Sequence, residues 1–121
     1  MSPSAPTRSL SDADYQSLTR ALLSGIELQI DRWLQQDVVD IDGARTGGLL
    51  ELSFPNGSKI VVNTQPPLQE IWLAARSGGY HYRHVDGRWH DTKTGEEFFA
   101  VLSRCASEQA GKPLTFEAAA G

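Results

Sequence analysis

Seven carboxylates stand in the first 42 residues: Asp12, Asp14, Glu27, Asp31, Asp37, Asp40 and Asp42. Only Arg8, Arg20 and Arg32 oppose them, so this stretch carries −4, the formal net charge of all 121 residues. The rest of the chain balances eight acids against eight bases. Glu27 and Asp31 lie four positions apart, the spacing that puts two side chains on one helix face. Asp40 and Asp42 lie two apart, the spacing of one strand face. Like charges four apart on a helix repel by roughly 0.2–0.5 kcal/mol, and a bound cation relieves that repulsion. Carboxylate oxygens are hard ligands suited to Fe³⁺, Ca²⁺ or Mg²⁺, and they also take Fe²⁺ and Mn²⁺. The spacings show no preformed cage, which predicts low affinity and poor selectivity. Three readings of these acids stand together: a weak cation site, an electrostatic dock for a basic protein surface, and a solvated face with no ligand. The segregated negative charge disfavours a nucleic-acid phosphate backbone as partner.

A second constellation is Trp72 with Asn63 and Gln65. Alternation along 58–63 puts Ile60 and Val62 on one face, with Lys59, Val61 and Asn63 on the other. In 69–74, Ile71 and Leu73 share a face, which leaves Trp72 opposite them with Glu70 and Ala74. Antiparallel sheets commonly bury one face and show the other to water. Tryptophan on the shown face is a candidate interface anchor, with Asn63 and Gln65 as hydrogen-bonding neighbours; the competing reading is a Trp72 covered by the last helix or a C-terminal extension. Asn63 and Gln65 also suit turn formation beside Pro66-Pro67. His81 and His84 fall on opposite faces of one strand, so with His90 they read as exposed strand histidines and not as a metal site. Cys105 is the only cysteine, which forbids an intrachain disulfide, fits a reducing compartment and reads as an inert core residue. No Gly-x-Ser-x-Gly elbow, phosphate-binding glycine loop or His-Glu-x-x-His helix is present. The chain is therefore not read as an enzyme.

The elements that must position these groups follow from periodicity. Tyr15, Leu18, Leu22, Ile26, Ile30 and Trp33 recur at three and four, one stripe of a first helix capped by Ser11 or Ser9 and ending near 34–36. The period then changes to two, with Val39 and Ile41 opposite Val38, Asp40 and Asp42, which predicts a short strand with an acidic outer row. Residues 43–48 read as a turn. Leu50, Leu52 and Phe54 face one way in the next strand, and Pro55-Asn56-Gly57 supplies a hairpin turn. Strands follow over 58–63 and 69–74, then Gly78-Gly79 opens a hairpin of 80–85 and 88–90 about Asp86-Gly87. A last helix is expected after Thr92 or Thr94, with Glu96 and Glu97 at its start and Phe98 or Phe99, Leu102, Cys105 and Ala106 inside. Gly111 and Pro113 end it. Short links demand antiparallel pairing. The expected fold is an α+β two-layer sandwich, N- and C-terminal helices on one face of an antiparallel sheet of about six strands. Residues 1–10 are expected to form a disordered tail, and 11–121 one domain. No apolar run is long enough to span a bilayer and no signal-peptide core is seen, so no membrane contact is expected.

This order of elements and these residues resemble the frataxin family, and its bacterial branch in particular. The resemblance is carried by Asn56-Gly57-Ser58-Lys59-Ile60, Asn63-Thr64-Gln65-x-Pro67, Ile71-Trp72-Leu73-Ala74, Gly78-Gly79-Tyr80-His81, and Trp89 before Gly95-Glu96. Trp33, Asp40-x-Asp42 and Gly47-Gly48 match the end of the first helix and the first hairpin, and the likeness spans about residues 12 to 110. It implies a cytoplasmic iron-binding accessory protein of iron–sulfur cluster assembly. Such a protein docks on a cysteine desulfurase and its scaffold protein and modulates cluster formation, as a monomer or an iron-dependent oligomer. It implies weak binding of Fe²⁺ or Fe³⁺ along an exposed ridge, matched by Asp12, Asp14, Glu27, Asp31, Asp37, Asp40 and Asp42, and a protein-contact face matched by Asn63, Gln65 and Trp72. Alternatives are iron oxidation (ferroxidase activity) or iron storage, and a plain acidic interaction module without a metal role. The chain departs from the family pattern where Leu28, Arg32 and Leu34 stand in place of frequent acids, Gln16 in place of a histidine found in some members, and Glu70 in place of a common glutamine. Iron binding weaker than usual for the family is the expected consequence.

Overall fold

Ser11 starts the first helix: its Oγ accepts the Asp14 N–H at 3.0 Å, with Asp12 and Asp14 in the first turn, where unpaired N–H groups favour negative charge. The computed structural model describes residues 10–118. The expected tail therefore lies outside the described residues except for Leu10, whose backbone is held by the Gln69 amide through bonds of 3.1 and 2.6 Å. Helix α1 (Asp12–Gln35) buries Tyr15, Leu22, Ile26, Ile30 and Trp33, with Thr19 and Leu23 added to the stripe. The strands are β1 (Asp42–Thr46), β2 (Leu49–Ser53), β3 (Lys59–Gln65), β4 (Glu70–Ala75), β5 (Gly78–Val85) and β6 (Arg88–Asp91), and helix α2 (Phe98–Ala110) follows. All neighbours pair antiparallel in the order β1-β2-β3-β4-β5-β6. Leu50, Leu52, Ile60, Val62, Ile71, Leu73, Tyr82 and Trp89 form the buried face, joined in one core to the inner residues of both helices. Each large apolar side chain so buried contributes about 1.5–3 kcal/mol. The expected two-layer α+β arrangement is the observed one.

Besides smaller shifts (β3 runs on to Gln65, and β5 takes in Gly78 and Gly79 so that Arg76-Ser77 is the turn), two element boundaries differ from expectation. The first strand runs over 42–46, not 38–42, and the turn shrinks from 43–48 to Gly47-Gly48. The chain leaves α1 through Asp37 at φ 59° and a Val38 N–H bond to the Trp33 carbonyl, and crosses to the sheet edge before pairing begins. Asp40 therefore lies in a connection and shares no strand face with Asp42. Gly43 belongs in the strand because β1 passes close under α1: a Cβ there would sit 2.9 Å from Ile30 Cδ1. The second difference concerns α2. Asp91 Oδ1 accepts the Lys93 and Thr94 N–H groups, a local turn that competes with helix. The cap is Glu97, whose carboxylate accepts the Phe99 and Ala100 N–H groups at 2.8 and 3.1 Å, and both Phe98 and Phe99 are buried.

Two further contacts tie the layers together. Gln109 is buried near the end of α2; its Nε2 donates to Ser58 Oγ and the Lys59 carbonyl, and its Oε1 accepts the Arg76 N–H. Beyond the helix, Leu114 and Phe116 are buried, Phe116 lying 4.8 Å from Trp33 ring to ring. Phe116 therefore covers part of α1 on the helical side.

Candidate functional site

The acidic edge is built where α1 passes over β1. Glu27 and Asp31 project from successive turns of α1, and Asp42 opens β1 below them. Together they line a shallow groove of about 550 Å³ with Ser24, Ile30, Ile41 and Gly43. Leu28 and Leu34 line it too, 53% and 51% exposed. Asp37 and Asp40 are exposed in the connection between helix and strand. The C-terminal end of a helix carries partial negative charge, so Asp31 and Asp37 deepen a field already attractive to cations. Asp12 and Asp14 stand at the opposite end of α1, about 20 Å from Glu27 at 1.5 Å per residue, and do not join the group.

Arg45 changes the character of this edge. It extends from β1 to Glu27 Oε1 at 2.7 Å and to Ser24 Oγ at 3.0 Å. Asp31 receives a hydrogen bond of 3.4 Å from Gln35 Nε2. Among the described residues, no group of three or more His, Cys, Asp or Glu side chains comes together to hold a metal ion. The edge is thus an open negative surface with one acid already paired, and it offers a cation attraction without a closed ligand set.

Trp72 stands on the face of the sheet away from the helices, half-buried by its neighbours on the sheet itself. Asn63 is its register partner on β3 and His81 its partner on β5. The His81 ring stacks on the indole at 4.3 Å with an interplanar angle of 8°. Trp72 Nε1 donates to Glu70 Oε1 at 2.9 Å, and Arg83 Nη2 meets Glu70 Oε2 at 2.8 Å. Gln65 pairs with Glu70 in register and precedes the 3₁₀ turn Pro66–Leu68, to which its side chain gives no cap bond. Its backbone N–H donates to the buried Tyr15 hydroxyl, which in turn donates to the Glu70 carbonyl at 2.6 Å. Burial raises the Tyr15 phenol above its ordinary value of 10. Asn63 is thus brought beside Trp72, and Gln65 lies two positions along β3, which runs on to Gln65 where alternation predicts a strand only to 63.

Sequence reasoning missed Arg45 and Arg83 as parts of these surfaces, and with them the ion pair of Glu70. Glu70 was placed on the Trp72 face by alternation, but its pairing with Arg83 depends on the β4–β5 register. His84 points to the helical side, edge-on to Trp89 at 5.0 Å, and burial followed by the nearby His90 lowers its pKa. His90 Nδ1 lies 3.0 Å from the Gly95 carbonyl on the other face. Cys105 is buried, with Ser77 Oγ at 3.5 Å. A second groove of about 590 Å³ between the β5–β6 turn, α2 and residues 115–118 is lined by Trp89, Phe99 and Phe116, with Arg88, Glu97, Ser103 and Glu117 also on its walls.

The family model described as a frataxin-like domain matches residues 8–112. The chain is 56% identical over 110 residues, 91% of its length, to the whole of the iron–sulfur cluster assembly protein CyaY of Variovorax paradoxus. It is 50% identical over 109 residues, 90% of its length, to the whole of the protein of that name from Burkholderia mallei. Among solved structures, a frataxin from Psychromonas ingrahamii superposes with a TM-score of 0.78 at 32% identity, covering 89% of this chain and 99% of that one.

Proposed function

The chain belongs to the frataxin family, and on that premise we propose that it is a cytoplasmic, non-catalytic accessory protein of iron–sulfur cluster assembly. It docks on a cysteine desulfurase and its scaffold protein and modulates cluster formation, with iron as weakly held cargo. The observation that carries this reading is the α1–β1 groove, whose walls carry Glu27, Asp31 and Asp42 beside the exposed Leu28 and Leu34. Negative charge steers a positive guest to this edge, and the two leucines give a protein guest apolar surface to bury. Trp72, with Asn63 and Gln65, forms a second contact on the outer sheet face. The donor set is oxygen-only and hard, which suits iron ions, but Arg45 occupies Glu27 and no three ligating side chains meet among the described residues. The residues therefore fit loose association of Fe²⁺ or Fe³⁺ and do not fit a resident iron site. Calorimetry against a cysteine desulfurase, with and without Fe²⁺, tests the proposal: measurable binding that iron alters supports it, and no binding under either condition removes it.

A second reading, an acidic interaction module without a metal role, is favoured by the Arg45–Glu27 pair. In that reading Arg45 yields Glu27 to a basic side chain of the partner, and iron has no effect on the affinity measured above. Ferroxidase or storage chemistry needs carboxylates that bridge paired ions, an arrangement for which the scattered acids of this edge give little support. Oxygen uptake with added Fe²⁺ tests that alternative, and a rate no faster than buffer sets it aside. Assembly is taken as monomeric, with iron-dependent oligomers detectable by light scattering.

A further inference from the structure

Glu70 is 6% exposed although it lies on the side of the sheet that the helices leave open. A carboxylate is seldom buried this deeply unless its charge is paired and its lone pairs are used. Here both oxygens are engaged: Oε1 accepts the Trp72 indole N–H at 2.9 Å and Oε2 meets the Arg83 guanidinium at 2.8 Å. His81 Nδ1 lies 3.8 Å from Oε1. The groups that cover Glu70 are thus the same groups that frame Trp72. Along β4, Glu70 holds the indole by its nitrogen; across the ladder, His81 stacks on its flat face. The Glu70 carbonyl is tied through the Tyr15 hydroxyl to the backbone of Gln65, so both ends of the contact face share one support.

We propose that Glu70 is the positioning residue of the Trp72 face: it fixes the indole before any partner arrives and withdraws its N–H from recognition. A partner then meets ring surface flanked by the Asn63 and Gln65 amides, and finds no indole donor. The surface suits an apolar side chain set among backbone or amide groups, and it gives nothing to an acceptor aimed at the indole nitrogen. This inference rests on the reading of Trp72 as a partner contact. A side chain immobilised in advance spares the complex its ordering cost, so losing the clamp weakens binding by roughly two- to tenfold.

The test uses the indole N–H signal of Trp72 in ¹⁵N-labelled protein, its hydrogen exchange, and affinity for the desulfurase–scaffold complex. In the unmodified protein the Trp72 indole N–H exchanges at least about tenfold more slowly than free indole; exchange at the free rate overturns the proposal with no variant needed. Glu70→Leu keeps a similar volume but no acceptor, and is expected to shift the Trp72 indole signal, speed its exchange and weaken binding. Glu70→Gln retains an acceptor oxygen and is expected to restore the signal and most of the affinity. An unmoved indole signal in Glu70→Leu, or a displaced one with undiminished binding, overturns the proposal. Trp72→Ala in the same assay separates the two claims. If it binds as well as the unmodified protein, the reading of Trp72 as a contact falls, whereas the indole measurements still judge the role of Glu70.

Discussion

Single side chains decide both surfaces, and the sequence revealed some of them better than others. Trp72 was legible because alternation in β4 depends only on neighbours two apart. The Glu27–Arg45 pair was not, because it needs the true extent of β1, and residues 43–46 resembled a glycine-rich turn. The Glu70–Arg83 pair escaped notice for a related reason: thirteen positions separate its members, and only the β4–β5 register joins them. Tyr82 supplies a prediction at this scale. Its ring is buried edge-on to Phe98 at 5.1 Å, and its hydroxyl is buried without a hydrogen-bond partner among the described residues. Burial, then the nearby Asp91 carboxylate, pushes its phenol far above the ordinary 10. Because the folded value is raised, the unfolded chain loses this proton first, so stability is unaffected by it below pH 10 and falls progressively as the pH rises beyond that. Tyr82→Phe removes both the unpaired hydroxyl and this alkaline loss. It is expected to stabilise the protein by about 1 kcal/mol, some 3–5 °C in Tm, at pH 7, with a larger advantage above pH 10; a lower Tm for the variant in a thermal scan contradicts the assignment.

At the scale of elements, the helices and strands were readable because their apolar periods are local, whereas the joints were not. Asp91 and Glu97 delay α2 to Phe98 by taking up backbone N–H groups that a longer helix would have used. The segment after Gly111 showed no period, yet Leu114 and Phe116 are buried, Ser107 and Ser103 fixing its backbone. Gln109 joins α2 to both the β2–β3 and β4–β5 turns through a buried amide. Gln109→Leu leaves the Arg76 N–H and the Lys59 carbonyl without that partner and is expected to cost about 2 kcal/mol. Urea unfolding measures it, and an unchanged midpoint shows that the turns find other partners. The α1–β1 groove has its own test. Asp31→Asn with Asp42→Asn leaves only the Arg45-paired Glu27 among the three groove acids, so affinity for the desulfurase is expected to fall at least about threefold and its salt dependence to flatten. Undiminished affinity places the contact elsewhere.

For the molecule as a whole, the sheet separates two kinds of recognition. The α1–β1 edge is negative and open; the far face around Trp72 carries an internal ion pair between Glu70 and Arg83. The charge asymmetry that first marked the chain becomes a feature of one edge because the acids of α1 and the start of β1 converge there. Their number overstated what the fold collects: Asp12 and Asp14 remain at the distant end of α1, and Glu27 is already paired. The account rests on that edge drawing a positive guest. The direct measurement is amide NMR of ¹⁵N-labelled protein titrated with Fe²⁺, with Co²⁺ as an air-stable substitute. The expected result is saturable shifts or broadening confined to residues 27–42 and β1, weakened in the Asp31→Asn, Asp42→Asn variant. No perturbation there at millimolar ion, or one centred on His81, His84 and His90, contradicts the account.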